Sequence, residues 1–243
     1  MSQSVTRAAR IIDSVAAEPK TVIELATEFD LHRSTMFREL QALEQVGYVR
    51  RRRNGTYALG FRLISLSQTA LDTIDLREAA GAHVRRLHKA VGNTVHVAAL
   101  MEHSIIYVDK VEDAGGVRMY SRVGAAVRPY CSAVGKAILA DLDEAARDRV
   151  LAGADWVKHT EATILTRAAL DAELDRISEQ GWAADDGEHE DFVNCIAVPV
   201  RSSAGIVGAL SVTAIRMVED LNRLTTYLPV LQQTAAQISR ELG

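Results

Sequence analysis

The chain has only two cysteines, Cys131 and Cys195, and they form no CxxC pair. That excludes a disulfide framework and the common thiolate metal spacings. No stretch reaches the roughly 18 consecutive apolar residues of a membrane-spanning helix. The opening MSQSVTRAARIID carries charge inside its first amphipathic pattern and lacks the apolar core of a secretory signal. A cytoplasmic protein with reduced thiols, no membrane partner and no cofactor is the expectation. Internal repeats and low-complexity stretches are also missing. With a net charge of −4, the chain does not coat nucleic acid by bulk electrostatics.

What is there is ordinary in bulk and uneven in detail. A length of 243 residues, 48% hydrophobic and 25% charged, suits one large domain or two of usual size. Residues 1–60 hold nine Lys/Arg against seven Asp/Glu, whereas the remainder holds 19 against 25. Within 33–60 there are six arginines and only two acids, Glu39 and Glu44. A basic patch on an acidic protein fits a DNA reader joined to something else.

Residues 21–60 make that reading specific. A first helix is expected over Ser4–Ala17, with Val5, Ala8, Ile12 and Val15 on one face. Thr21 and Glu24 have capping-box spacing for a helix over Val22–Phe29. After Asp30-Leu31-His32, a third helix runs from Arg33 to Gln45 and stops at Gly47. Met36, Leu40 and Leu43 form its apolar stripe, leaving Ser34, Arg38, Gln41 and Gln45 on the opposite side. Strands over Tyr48–Arg52 and Thr56–Leu59 surround Arg53-Asn54-Gly55, and Asn-Gly is a hairpin signal. Three helices and a two-stranded wing make a winged helix-turn-helix, whose third helix suits the major groove. Ser34, Thr35, Arg38 and Gln41 are expected to read bases. Arg33, Arg50, Arg51, Arg52, Arg53 and Asn54 are expected to hold the duplex. A solvated charge run is the plain alternative for the four arginines, but their place after a helix-turn-helix favours DNA.

Helical spacing continues over 61–74 and Leu76–Val91, and then the period changes. Strands are expected over Thr94–Met101, Ser104–Val111, 117–122, Gly181–Asp185, Asn194–Val200 and Ile206–Ile215. Helices are expected over Ser132–Ala140, Asp143–Leu151 and Arg167–Gln180. A final helix over Val218–Leu242 should be kinked by Pro229. A sheet with helices grouped around it is an α+β sensor architecture.

Ser132-Ala133-Val134-Gly135-Lys136 lacks the upstream glycine of a phosphate loop. It offers a small-residue helix start that attracts an anion, or simply close packing. Cys195 reads as a buried small residue rather than a nucleophile, because His189 nearby belongs to no recognisable constellation. A metal site joining Cys131 to His96, His103 or His189 has no supporting spacing. The acidic run 185–191 reads as a solvated loop, one acid of which could face a polar ligand.

Taken together, SVTRAARIID, LHRSTMFRELQALEQVGYV, RNGTYALG, YCSAVGKAILA and NCIAVPVRSSAGIVGALSVTA resemble the IclR family of bacterial transcriptional regulators over nearly the whole chain. The resemblance implies a winged helix-turn-helix (1–60), a linker helix (61–75) and a GAF/PAS-like effector and oligomerisation domain (76–243), with an antiparallel sheet flanked by helices. It also implies a double-stranded operator, a homodimer or dimer of dimers, and a small effector, often a carboxylate-bearing metabolite. Ala133, Val134, Asp185, Cys195, Ser211 and Thr213 would line the effector pocket. Thr213 stands where serine is common in the family. The Pro129-Tyr130-Cys131 run is similar to members that govern aromatic-acid breakdown. Two rivals belong to other classes: a Cys195-dependent hydrolase with an accessory DNA-binding domain, and a ligand-independent DNA-binding structural protein.

Overall fold

A computed structural model describes residues 3–112, 119 and 121–243. The chain forms two compact units, Met1–Thr73 and Ile74–Gly243.

The first unit contains α1 (Gln3–Ala17), α2 (Val22–Glu28), α3 (Arg33–Gln45), β1 (Val49–Arg51), β2 (Tyr57–Leu59) and α4 (Arg62–Asp72). Ile11, Val15, Leu25, Met36, Leu40, Leu43, Val49 and Tyr57 make its core. The α3 stripe is therefore buried as its spacing demands. The face of α1 differs from expectation: Val5 is 69% exposed, and Ile11 fills the core instead. Thr21 and Glu24 form the full capping box on α2. Lys20 pairs through its backbone with Tyr57, at 3.1 and 2.6 Å, tying the α1–α2 connection to the wing.

The hairpin turn is not the two-residue primed type. Gly55 N donates to Arg52 O at 3.0 Å and Arg52 N to Thr56 O at 2.7 Å. Only Gly55 has positive φ, at 83°, and Asn54 does not. That is a tight turn followed by a left-handed glycine, the three-residue hairpin with a bulge. Asn54 contributes through its side chain, accepting from the Thr56 N–H at 3.2 Å and hydroxyl at 2.8 Å.

The second unit opens with α5 (Asp75–Val91), then β3 (Thr94–Met101) and β4 (Ser104–Val111). The expected strand over 117–122 falls largely outside the described residues. Next come α6 (Ala133–Asp141), α7 (Glu144–Leu151), α8 (Arg167–Gln180), β5 (Ala183–Asp186), β6 (Val193–Ser202) and β7 (Gly205–Ile215). The chain ends in α9 (Leu221–Thr225) and α10 (Leu228–Glu241). The expected single final helix is thus two. Pro229 lies in the first turn of α10, where its missing N–H costs nothing and its fixed φ suits helix entry, so it starts a helix rather than kinking one.

The five strands run antiparallel in the order β4-β3-β7-β6-β5. Alternation along each strand sends successive side chains to opposite faces. Val95, Val97, Ile196, Val198, Leu210 and Val212 pack under α5, α9 and α10. Gly208 belongs to that packing, because a Cβ there would lie 2.2 Å from the Ala98 carbonyl oxygen. The other face carries Ala98, Ala183, Cys195, Ala197 and Ala209 beneath α6, with α8 behind it. Those small residues let α6 sit low on the sheet. They also leave room at one end.

Candidate functional site

In the first unit, the outward surface of α3 carries Arg33, Ser34, Arg38 and Gln41, all exposed, with Thr35 half-buried at its edge. Arg38 Nε reaches back to Ser34 O at 3.4 Å. Of the helix's two acids, Glu39 is engaged by Nε and Nη2 of the Arg7 guanidinium and Glu44 accepts from the Arg51 N–H at 3.0 Å. Unlike α2, α3 has no side-chain cap at His32. Its first N–H groups therefore remain available to an anion. Arg51, Arg52, Arg53 and Asn54 are exposed around the hairpin tip. Arg50 is not with them: its guanidinium lies 5.0 Å from the Phe61 ring centroid, and its Nε is buried. Strand alternation explains this, because consecutive arginines cannot all project from one side of β1.

In the second unit, the room left at one end of the small-residue face is a cavity of about 590 Å³, counting its open mouth. All six residues expected there line it: Ala133, Val134, Asp185, Cys195, Ser211 and Thr213. Sheet register brings them together. Asp185 stands opposite Cys195, Cys195 opposite Thr213, and Ser211 opposite His96. Ala133 and Val134 are the first two residues of α6. Ser132 caps that helix, accepting from Gly135 N at 3.3 Å and donating to Arg128 O at 2.7 Å. Gly135 permits the close approach: a Cβ there would meet the Pro129 backbone at 2.6 Å.

The wall holds further residues that the sequence did not single out: Tyr107, Ser121, Arg128 and Glu190, and also His96, weighed only as an unsupported metal ligand, and His189, weighed as that and as an unsupported companion of Cys195. His96 is buried, with Nε2 2.7 Å from Ser121 Oγ and Nδ1 3.3 Å from Thr213 Oγ1. Thr213 Oγ1 lies 3.0 Å from Cys195 Sγ. Burial, and then the charge of Lys110, hold the imidazole pKa down to about 3, so it is neutral. The one sequence signal was its place between Val95 and Val97, a polar residue on the side of β3 opposite to two valines.

Two expectations change here. The acidic run is only partly solvated. Asp185 is buried, and burial followed by the Glu188 charge raises its pKa to about 7. Glu188 pairs with Lys136, which has no exposed surface, and donates its backbone N–H to Asp185 Oδ1 at 2.7 Å. Lys136 therefore braces the loop bearing Asp185 rather than serving a phosphate. Pro129-Tyr130-Cys131 stays outside the cavity wall; Tyr130 OH instead bonds to Asp155 at 2.9 Å, and its ring stacks on Trp156. That run therefore carries no information about the ligand. Burial raises the Cys195 thiol to about 12, and its bonded neighbours are hydroxyls and the Ile196 carbonyl, not a general base. The hydrolase reading has no chemical support. Among the described residues, no three of His, Cys, Asp and Glu converge as metal ligands.

What the arrangement can do is hold a small polar molecule. One end offers Arg128, which is also ion-paired with Asp155 at 2.6 Å, and helix N–H groups. The sheet floor offers hydroxyls, an imidazole and a thiol.

Comparison with known proteins adds the following. The family model described as bacterial transcriptional regulator IclR C-terminal matches residues 68–240, and the IclR helix-turn-helix domain matches 4–53. The chain is 35% identical to the HTH-type transcriptional regulator KdgR of Escherichia coli, over 91% of this chain and 85% of that one. It is 32% identical to XynR of the same organism, over 99% and 97%. The crystal structure of Thermotoga maritima IclR shares 29% identity and superposes with a TM-score of 0.80, covering both chains fully. An IclR homolog from Microbacterium hydrocarbonoxydans, complexed with 4-hydroxybenzoate, has the same fold at 23% identity and a TM-score of 0.83, covering 99% of each chain.

Proposed function

The chain belongs to the IclR family of bacterial transcriptional regulators, and from that premise we propose how its residues divide the work of a DNA-binding regulator with an effector domain. Residues 1–60 bind the operator, 61–75 link, and 76–243 bind the effector and oligomerise. Ser34, Thr35, Arg38 and Gln41 read base edges from the major groove. Arg33, Arg51, Arg52, Arg53 and Asn54 hold phosphates or the minor groove. Arg50 steadies the base of the wing against Phe61.

The effector is a small organic acid. Its carboxylate takes the Arg128 end and the N–H groups of Ala133 and Val134; Asp185, Cys195, Ser211 and Thr213 line the rest. The observation that carries this reading is that cavity, with an anion-attracting end and a polar sheet floor, in a chain whose other unit presents a polar recognition helix. The chain works in the cytoplasm as a regulator and not as an enzyme. It acts as a homodimer or a dimer of dimers. Supporting self-association, no residue of α4 is buried, and its Ile64 and Leu66 are exposed. Ligand changes DNA affinity by its differential affinity for two states of the dimer.

Electrophoretic shift on DNA from upstream of the chain's own coding sequence tests the DNA assignment. Arg38→Ala should relax base choice by about 1–3 kcal/mol at one position. Arg51→Ala or Arg52→Ala should weaken binding to every sequence and flatten its salt dependence. An Arg38→Ala variant with unchanged affinity and preference would remove α3 as the reading helix.

A further inference from the structure

Resting on the reading that this cavity takes an organic acid, we infer that Asp155 is a built-in competitor for the bound carboxylate, and that its displacement from Arg128 loosens the strap 154–163. The strap lies between α7 and α8 and contains no helix or strand. Its residues are not among those lining the cavity, but two of them hold residues that are. Asp155 Oδ2 accepts from Arg128 Nη1 at 2.6 Å, and the His159 ring stacks on His189 with centroids 4.7 Å apart. The far end is tied down beside His189. Thr160 Oγ1 donates to Gly187 O at 2.6 Å, and Thr163 Oγ1 to Glu188 O at 2.7 Å.

One guanidinium does not serve two carboxylates at full strength. Burial, then His159 and then the Arg128 charge hold the wall residue His189 down to about 4, so that charge bears on the cavity. Asp155 already meets it and cancels part of the attraction that a ligand anion would feel. Its side chain is 48% exposed, so water solvates the carboxylate once a ligand takes Arg128, and the exchange costs little. The strap is held at few points, which makes that loss felt. The buried Tyr130 hydroxyl accepts from Val157 N at 2.9 Å and lies 2.9 Å from Asp155 Oδ1. Between these two residues Trp156 has φ 46°, a left-handed conformation unfavourable for a bulky side chain, with its ring stacked on Tyr130. Releasing Asp155 removes one of the contacts that impose this geometry. The amides of Val157, His159 and Thr160, which donate to Tyr130 OH and Thr163 Oγ1, are the ones that loosen.

The test uses the full chain, with acetate, butyrate, benzoate and D-gluconate as probes and butyramide as the uncharged control. Isothermal titration calorimetry at fixed ionic strength compares wild type with Asp155→Asn. Every acid that binds should bind about threefold tighter to Asp155→Asn, and butyramide should gain nothing. Asp141→Asn, which removes an acid paired with Arg201, controls for net charge and should leave affinity unchanged. Hydrogen exchange read by mass spectrometry follows the strap itself. In wild type a bound acid should speed exchange across 154–163 by about threefold. Asp155→Asn should exchange at that faster rate before any acid is added. Unchanged or weaker acid binding by a folded Asp155→Asn protein overturns the inference and leaves the acid-sensing reading standing. Strap exchange that does not respond to a bound acid does the same. Binding of none of the acids to either protein overturns both.

Discussion

The two faces of the five-stranded sheet come from the same strands and have opposite characters. On β7, Leu210 and Val212 point one way, and Ala209, Ser211 and Thr213 the other. On β6 the division is Ile196 and Val198 against Cys195 and Ala197, and on β3 it is Val95 and Val97 against His96 and Ala98. One face is filled with large, mostly β-branched side chains under α5 and α10. The other is filled with small and polar ones, and the volume they leave unfilled is the cavity. A period-2 pattern thus lets one sheet be a rigid floor on one side and a binding surface on the other. Stability belongs mainly to the first face and selectivity to the second.

The largest test of that division lies in the brace above the polar face. Lys136→Met leaves Glu188 buried without its cation, and should cost about 3–5 kcal/mol in urea unfolding. Lys136→Met with Glu188→Leu, which removes both charges, should recover most of it. On the packed face, Leu210→Ala should cost about 2–5 kcal/mol. Its neighbour Ser211→Ala should cost about 1 kcal/mol or less in stability while changing acid affinity, since its hydroxyl faces the cavity. Equal losses for Leu210→Ala and Ser211→Ala would erase the distinction between the faces.

A smaller effect is carried by pH. The folded-state pKa of Asp185 is raised from 3.8 to about 7, so its contribution is fully present below about 3.8 and lost as pH rises through about 7. His96 and His189 are depressed to about 3 and about 4, so theirs is present above about 6.5 and lost as pH falls. Wild-type melting temperature should therefore decline on both sides of near-neutral pH. Asp185→Asn should remove about 1 kcal/mol of the decline between pH 6 and 8 and steepen the loss below pH 6, where the raised Asp185 pKa opposes the histidines. A wild type and Asp185→Asn with parallel profiles above pH 6 would show that Asp185 is not held protonated.

Much of this was legible locally. The α3 stripe, the capping box and the six cavity residues all follow from spacing or from motif resemblance. What was not legible depends on partners distant in sequence. Val5 has good helical spacing, but spacing does not say which turns of a helix are covered, and this one is left exposed. The four consecutive arginines looked equivalent until β1 turned Arg50 onto Phe61. His96 looked like a solitary histidine because Ser121 and Thr213 reach it only through strand register and a returning loop. Lys136 looked like half a phosphate motif because its partner, Glu188, is 52 residues away. Pro229 signalled a break correctly and its sense wrongly, since a proline that kinks a helix and one that begins it differ only in where the helix starts.

The central claim is that the polar face of the sheet controls DNA binding. Fluorescence anisotropy on a labelled duplex from upstream of the coding sequence tests it, with and without a saturating small organic acid chosen by thermal shift of the full chain. Wild type should change its Kd for the duplex by about fivefold or more. Val134→Phe, which fills the cavity from α6, should keep the ligand-free Kd and lose the response. An unchanged Kd in wild type, or a full response in a folded Val134→Phe protein, would contradict the account.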